Sequence, residues 1–255
     1  MNLLITRRQL VGAVAGLAAA ASVPPPAAAA PPSAIRAIAF DAFPIFNPLR
    51  LAEVAQSFFG DAGKALAAAW ANRLFSLTWL ATAGERYRPF DELAGLALDS
   101  TTRELGLYLS PATRRQMVDA YAQLTIWPDV PDALERLRSR GLRLRFLSNL
   151  GEAALDRNMR ANGISGFFEP PLSTDQVRRF KPSPAAYAMA SRAFGLATRE
   201  IGFAAFASWD AAGAANYGFP TAWVNRAEAP PDSLGPAPER AGKTIETLLE
   251  LVGST

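Results

Sequence analysis

The chain has 255 residues, half of them apolar and 19% charged, with 26 Lys and Arg against 23 Asp and Glu. That is enough to build a substantial core, as one large domain or a core with a smaller companion. The sequence contains no His and no Cys, which excludes Ser-His-Asp and Cys-His catalysis, His or Cys zinc sites, thiol redox chemistry and disulfides.

Residues 1–30 read as an export signal rather than as part of the fold. Thr6-Arg7-Arg8-Gln9-Leu10 is a twin-arginine pattern, followed by an apolar run from Leu10 to Val23 and a Pro-Ala tract over 24–32. A small-residue cleavage site is expected near Ala28–Ala30. The apolar run is short and Ala-rich for a membrane span. This reading makes the twin-arginine export machinery a partner and the periplasm the destination. Losing Arg7 and Arg8 leaves 24 Lys and Arg against 23 acids. A charge near +1 gives no sign of a nucleic-acid partner.

Ile35–Phe40 is a short apolar run, expected to be a buried parallel strand. It ends at Asp41. Ligands of open α/β sheets sit beyond the carboxyl ends of the strands, so Asp41 is a candidate for chemistry as well as for a cap. Pro44 and Pro48 end the strand and force a loop. Residues 49–126 read as helices: Leu49–Phe59; a longer one capped by Asp61 and running to Thr82, with Trp70, Phe75 and Trp79 on its apolar face; Phe90–Leu107; and Ser110–Thr125. Ser110-Pro111 forms a good cap and first-turn pair. This segment is expected to be an all-helical cap, inserted into a core formed by 31–48 and 127–255.

From Trp127 helices and strands alternate. Helices are expected over Val130–Arg140, Glu152–Asn162, Ser183–Phe194, Trp209–Tyr217 and Thr244–Val252. Strands are expected over Leu142–Leu147, Phe168–Ser173, Ile201–Phe206 and Thr221–Asn225, and residues 227–240 read as a Pro-rich loop. Regular alternation predicts an α/β fold with a doubly wound, Rossmann-like parallel sheet. Polar groups follow four of the core elements: Asp41, Ser148-Asn149, Lys181 and Asp210. Taken singly, Ser148 and Asp210 read as helix caps and Lys181 as a solvated loop residue. Their joint placement is what argues for a site.

These segments resemble the haloacid dehalogenase superfamily, and within it the L-2-haloacid dehalogenases of type II. AFDAF around Asp41 resembles the nucleophile motif, LSNLGE the Ser-Asn motif, and FKPSPAAY the Lys motif. SWDAAGAANYGFPTAWVNR, residues 208–226, is the most specific match, and RLFSLTW resembles the segment around the family's halide-binding arginine. The resemblance implies a metal-free, cofactor-free hydrolase of small 2-haloalkanoic acids, and a homodimer. Asp41 would displace halide from the α-carbon to form an aspartyl ester. Arg73 would hold the halide. Ser148 and Asn149, with backbone near Ala42 and Phe43, would hold the substrate. Lys181 would keep Asp41 ionised, Asp210 would position Lys181, and Tyr187 matches a further polar residue of the site. Phe43, Leu74, Phe90 and Trp209 would form the apolar wall.

Three positions depart from the pattern. Ile45, preceded by Pro44, stands where the family has a Thr preceded by Gly, and Ala205 and Ala207 stand where it has Ser and Asn. Such groups orient the nucleophile and the water that hydrolyses the ester. The departures keep open a weakly turning-over or vestigial binding protein. A phosphatase of the same superfamily is a third reading. Phe43 occupies the place of the second Asp that such activity needs beside its Mg²⁺.

Overall fold

The computed structural model describes residues 35–232 and 234–253; the expected export signal lies outside them. The first described strand, β1 (Ala37–Phe40), is buried on both faces. Ile38 and Phe40 point into one hydrophobic cluster and Ala37 and Ala39 into another, as the two-residue period of a strand requires. Four helices follow: α1 (Leu49–Phe59), α2 (Ala62–Ala83), α3 (Phe90–Glu104) and α4 (Pro111–Asp119). Ser110 Oγ accepts the Thr113 N–H at 3.0 Å and caps α4. Asp61 makes no such side-chain bond to α2. Helix α2 is apolar almost all round and faces two ways: Trp70 is buried among the helices, whereas Phe75 and Trp79 pack on Trp209.

The alternating part runs α5 (Val130–Ser139), β2 (Arg143–Ser148), α6 (Glu152–Ala161), β3 (Leu172–Ser173), α7 (Pro184–Phe194), β4 (Ile201–Ala205), α8 (Ser208–Tyr217), β5 (Thr221–Val224), β6 (Arg240–Gly242) and α9 (Glu246–Gly253). The strands form one parallel sheet in the order β3-β2-β1-β4-β5-β6, the doubly wound α/β arrangement expected from the alternation. Two details differ. Only two residues of the expected third strand pair, and β6 extends the sheet inside and just beyond the stretch read as loop. Its three residues carry no apolar signature, so pairing with β5 made it a strand where local sequence did not.

Strand order reverses between β1 and β4, and a doubly wound sheet opens a crevice at such a point. Phe40 is level with Phe146 on one side and Ala204 on the other. This register brings the residues after β1, β2 and β4 to one edge.

The loop after Asp41 is held from below. Asn47 N–H donates to Thr125 O at 2.7 Å and Trp127 N–H to Ile45 O at 3.1 Å. The chain therefore leaves for the helices and returns from them side by side. Trp127 Nε1 donates to Phe43 O at 3.0 Å. Arg226 donates both terminal nitrogens to Asp129, each at 3.0 Å, and a further bond to Pro44 O at 2.9 Å. Its guanidinium lies over the Trp127 ring. Partial burial alone would raise the Asp129 carboxyl, but bonds from Arg226 and the Ile245 N–H outweigh it and hold the pKa below the usual range.

Asp129→Ala strands a nearly buried guanidinium and is expected to cost about 2–3 kcal/mol at neutral pH. In wild type this contribution is present above the unfolded carboxyl pKa and is lost as pH falls through the depressed folded one. Urea unfolding of Asp129→Ala, Arg226→Met and the double variant checks it: the double should cost clearly less than the two singles together.

Candidate active site

The centre of the site is a buried chain of charges. Asp41 follows β1, Asp210 lies in the first turn of α8, and Lys181 precedes α7. Lys181 Nζ donates to Asp41 Oδ1 at 2.9 Å and to Asp210 Oδ2 at 2.6 Å. The lysine is wholly buried, with its ammonium also over the Phe203 ring. Tyr187 Oη donates to Asp210 Oδ1 at 2.7 Å, and the Phe43 N–H reaches Asp41 Oδ2 at 3.3 Å. Tyr187 needs the close approach of α8: a Cβ on Gly213 would lie 2.5 Å from its hydroxyl.

Burial pushes the Asp210 carboxyl up to about 6 despite the neighbouring ammonium. Burial acts on Lys181 in the opposite sense, but attraction to Asp210 and Asp41 wins and raises its pKa above the usual lysine value. Burial and then the Asp210 charge raise Tyr187 well above an ordinary phenol. At neutral pH the ammonium is a fixed cation between its two partners.

Asn149 fixes this lysine from the backbone side. Its Oδ1 accepts the Lys181 N–H at 2.9 Å. Its Nδ2 is buried without a hydrogen-bond partner, a donor left over at the site. Ser148 Oγ accepts the Leu150 N–H at 3.1 Å.

Above these groups lies a cavity of about 190 Å³. Asp41, Ser148 and Asn149 line it at the sheet edge, with Phe43, Leu150, Phe206, Ala207 and Trp209 around them. Ala71, Phe75, Phe90 and Tyr121 line it from the helical insertion, with Pro48 and Leu51. Of the expected wall, Phe43, Phe90 and Trp209 are present. Leu74 is fully buried and lines no part of the cavity. Ala42 is fully buried too, and its carbonyl accepts the N–H groups of Ile45 and Phe46.

Arg73 is the clear correction. It is exposed, pairs with Glu104 and does not line the cavity. Two residues further along an α-helix is about 200° around its axis. Ala71 and Phe75, four apart, line the cavity together with Asp41; Arg73 between them does not. Helical phase measured from Phe75 and Trp79 would have found Ala71, whereas the likeness of RLFSLTW pointed to the nearest arginine. Phe75, Tyr121 and Phe206 were also missed as lining residues, because their neighbours come from four distant stretches of chain.

A family model of haloacid dehalogenase-like hydrolases matches residues 68–218. The (S)-2-haloacid dehalogenase of Pseudomonas sp. strain YL is 34% identical over 218 residues, 85% of this chain and 94% of that one. The chain belongs to the haloacid dehalogenase-like hydrolases. Within this family it is also similar to haloacetate dehalogenase H-2 of Moraxella sp. strain B, 29% identical over 86% of this chain and 98% of that one. Among solved structures, an L-2-haloacid dehalogenase superposes with a TM-score of 0.84 at 37% identity, over 87% of this chain and all of the other. The Xanthobacter autotrophicus L-2-haloacid dehalogenase with chloropropionic acid covalently bound gives 0.80 at 26% identity, over 87% of this chain and 99% of that one.

Lys181→Met should leave two buried carboxylates facing each other and destabilise the fold by about 3–5 kcal/mol at pH 8. The Asp41 charge, no longer countered by an ammonium, then pushes the Asp210 carboxyl, already raised by burial, further up in the folded state. The folded protein binds more protons than the unfolded one, so stability of the variant should recover as pH falls toward 5. Urea midpoints at the two pH values measure this; a larger deficit at pH 5 than at pH 8 would contradict it.

Proposed function

We propose that the protein is a hydrolytic dehalogenase that converts 2-haloacids to 2-hydroxyacids. The observation that carries this reading is the ammonium of Lys181 set between Asp41 and Asp210 beneath a largely apolar cavity. A carboxylate attacks carbon well only when it is poorly solvated and still ionised. An oxygen of Asp41 forms a bond to the α-carbon, and the carbon–halogen pair leaves as halide. The unpartnered Asn149 amide, with Ser148, is suited to the substrate carboxylate. Water then adds to the ester carbonyl and returns Asp41 with release of a 2-hydroxyacid and a proton. The names of the relatives support the reaction class, and the covalently bound chloropropionic acid of the Xanthobacter enzyme supports an ester intermediate.

The two half-reactions are unequally equipped. Ile45 and Ala205 are fully buried, and Ala207 lines the cavity with a methyl group. None of these side chains can hold a water or donate to a developing oxyanion, and one such donor is worth about 100-fold or more. With 2-bromopropionate the enzyme is expected to give a burst of halide, then slow turnover, with the adduct on the peptide containing Asp41 in mass spectra. Ile45→Thr, Ala205→Ser and Ala207→Asn together should raise the steady rate by about tenfold or more and the burst rate less. Fast turnover without a burst would show that other groups position the water. Release of no halide, with no adduct, favours a protein that keeps the fold and binds without turnover.

We also infer export by the twin-arginine route, from Thr6–Leu10 and the Ala-rich tract after it. Arg7→Lys with Arg8→Lys should hold the protein in the cytoplasm; unchanged periplasmic yield on cell fractionation would overturn this.

A further inference from the structure

Displacement moves a negative charge. Before it, the charge sits on Asp41, 2.9 Å from an ammonium. After it, Asp41 is a neutral ester and the charge has left with the halide, toward the wall opposite the nucleophile. Among the described residues, no Lys or Arg lines this cavity. Lys181 lies below the floor, held by both carboxylates. Arg73 is turned outward onto Glu104. The adjoining cleft, which shares Phe90, Tyr121 and Leu150 with the cavity, sets Asp91, Asp119, Glu152 and Asp175 against the single guanidinium of Arg157. Of the two α2 residues that line the cavity, Phe75 presents a ring and Ala71 only a methyl group, at a place from which a long cationic side chain would reach a departing anion.

The halide therefore departs into aromatic and aliphatic surroundings. The cost of taking an ion out of water rises as its radius shrinks, so fluoride is penalised most, then chloride. Bromide and iodide are larger and more polarisable, and lose less on leaving water for a lining that includes the aromatic rings of Phe75 and Trp209. The methyl group of Ala71 also leaves room for the larger atom. We propose that Ala71 sets the leaving-group range of this site, making it selective for 2-bromo- and 2-iodoacids over their chloro and fluoro counterparts. This rests on the dehalogenase reading above. In the step concerned, one C–O bond forms, one C–X bond breaks with its electron pair going to the halide, and no proton moves.

The test is single-turnover formation of the Asp41 adduct from 2-bromopropionate and from 2-chloropropionate, followed by mass spectrometry. Each rate is divided by that of the same acid with aqueous acetate, which removes the intrinsic difference between the two bonds. Wild type should favour bromide by about tenfold or more after this correction. Ala71→Arg should raise the chloride rate by about 10- to 100-fold, the worth of one charge-stabilising donor, and bring the corrected ratio toward one. Arg73→Ala should leave both rates unchanged.

A corrected ratio near one in wild type, or a chloride rate that falls in Arg73→Ala, overturns the proposal while leaving the dehalogenase reading intact. So does a folded Ala71→Arg with an unchanged ratio. If that variant does not fold, the wild-type ratio and Arg73→Ala still decide. No adduct from either acid overturns both readings.

Discussion

A single ammonium organises this protein's chemistry. Lys181 is wholly buried, and a buried lysine without partners gives up its proton. Two carboxylates keep it charged. Reciprocally, that charge offsets the repulsion between the two buried carboxylates of Asp41 and Asp210 that it joins. The three groups come from three distant stretches of chain, so the arrangement exists only when β1, β4 and the loop before α7 are in register. Asn149 and Tyr187 then remove the remaining freedom, one gripping the backbone of Lys181 and the other the far oxygen of Asp210. Every partner in this chain is itself held by another. A substitution at its periphery therefore acts on the nucleophile through geometry rather than contact.

The sheet supplies the register. Because β1 is central and strand order reverses beside it, β2 delivers Ser148 and Asn149 to one side of Asp41 and β4 delivers Ala207 and Asp210 to the other. Ala37 and Ala39 on one face of β1 present only methyl groups, so the layer carrying Tyr187 and α8 packs close to the strand, and Ile38 and Phe40 anchor the opposite face. The helical insertion then closes over the edge through aromatic contacts, Phe75 and Trp79 against Trp209 and Tyr87 against Phe180. The polar floor belongs to the sheet, and much of the apolar wall belongs to the insertion.

That division explains what was legible in the sequence. Asp41, Ser148, Asn149, Lys181 and Asp210 each sit close to the end of a strand or the start of a helix, and local pattern marks both, so the floor could be read from order along the chain. Most strands and helices were legible for the same reason, to within a residue or two at their ends. Strand β6 was not, since its residues Arg240–Gly242 take their conformation from β5. Arg73 was misplaced because residue type was weighed above helical phase. The wall residues Phe75, Tyr121 and Phe206 look like ordinary core aromatics in sequence. Only the closing of helices over the sheet edge distinguishes a cavity wall from a core.

The apolar lining has opposite consequences for the two halves of the proposed reaction. Burial of Asp41 favours the proposed attack on carbon, and the Lys181 ammonium stays paired with it. Yet once the ester forms, the reaction needs one ordered water beside that carbon, and a lone water in an apolar cavity needs two or more polar partners to stay. Ile45, Ala205 and Ala207 contribute none through their side chains. Their methyl and alkyl surfaces add to the apolar lining that favours attack while removing anchors for the water that must follow. The same trade appears at Ala71, where the wall accepts a large soft anion but offers no charge to a small hard one. In each case apolar surface replaces a directed polar contact: in the proposed reaction the cost falls on resolving the ester at Ile45, Ala205 and Ala207, and on forming it from small halides at Ala71.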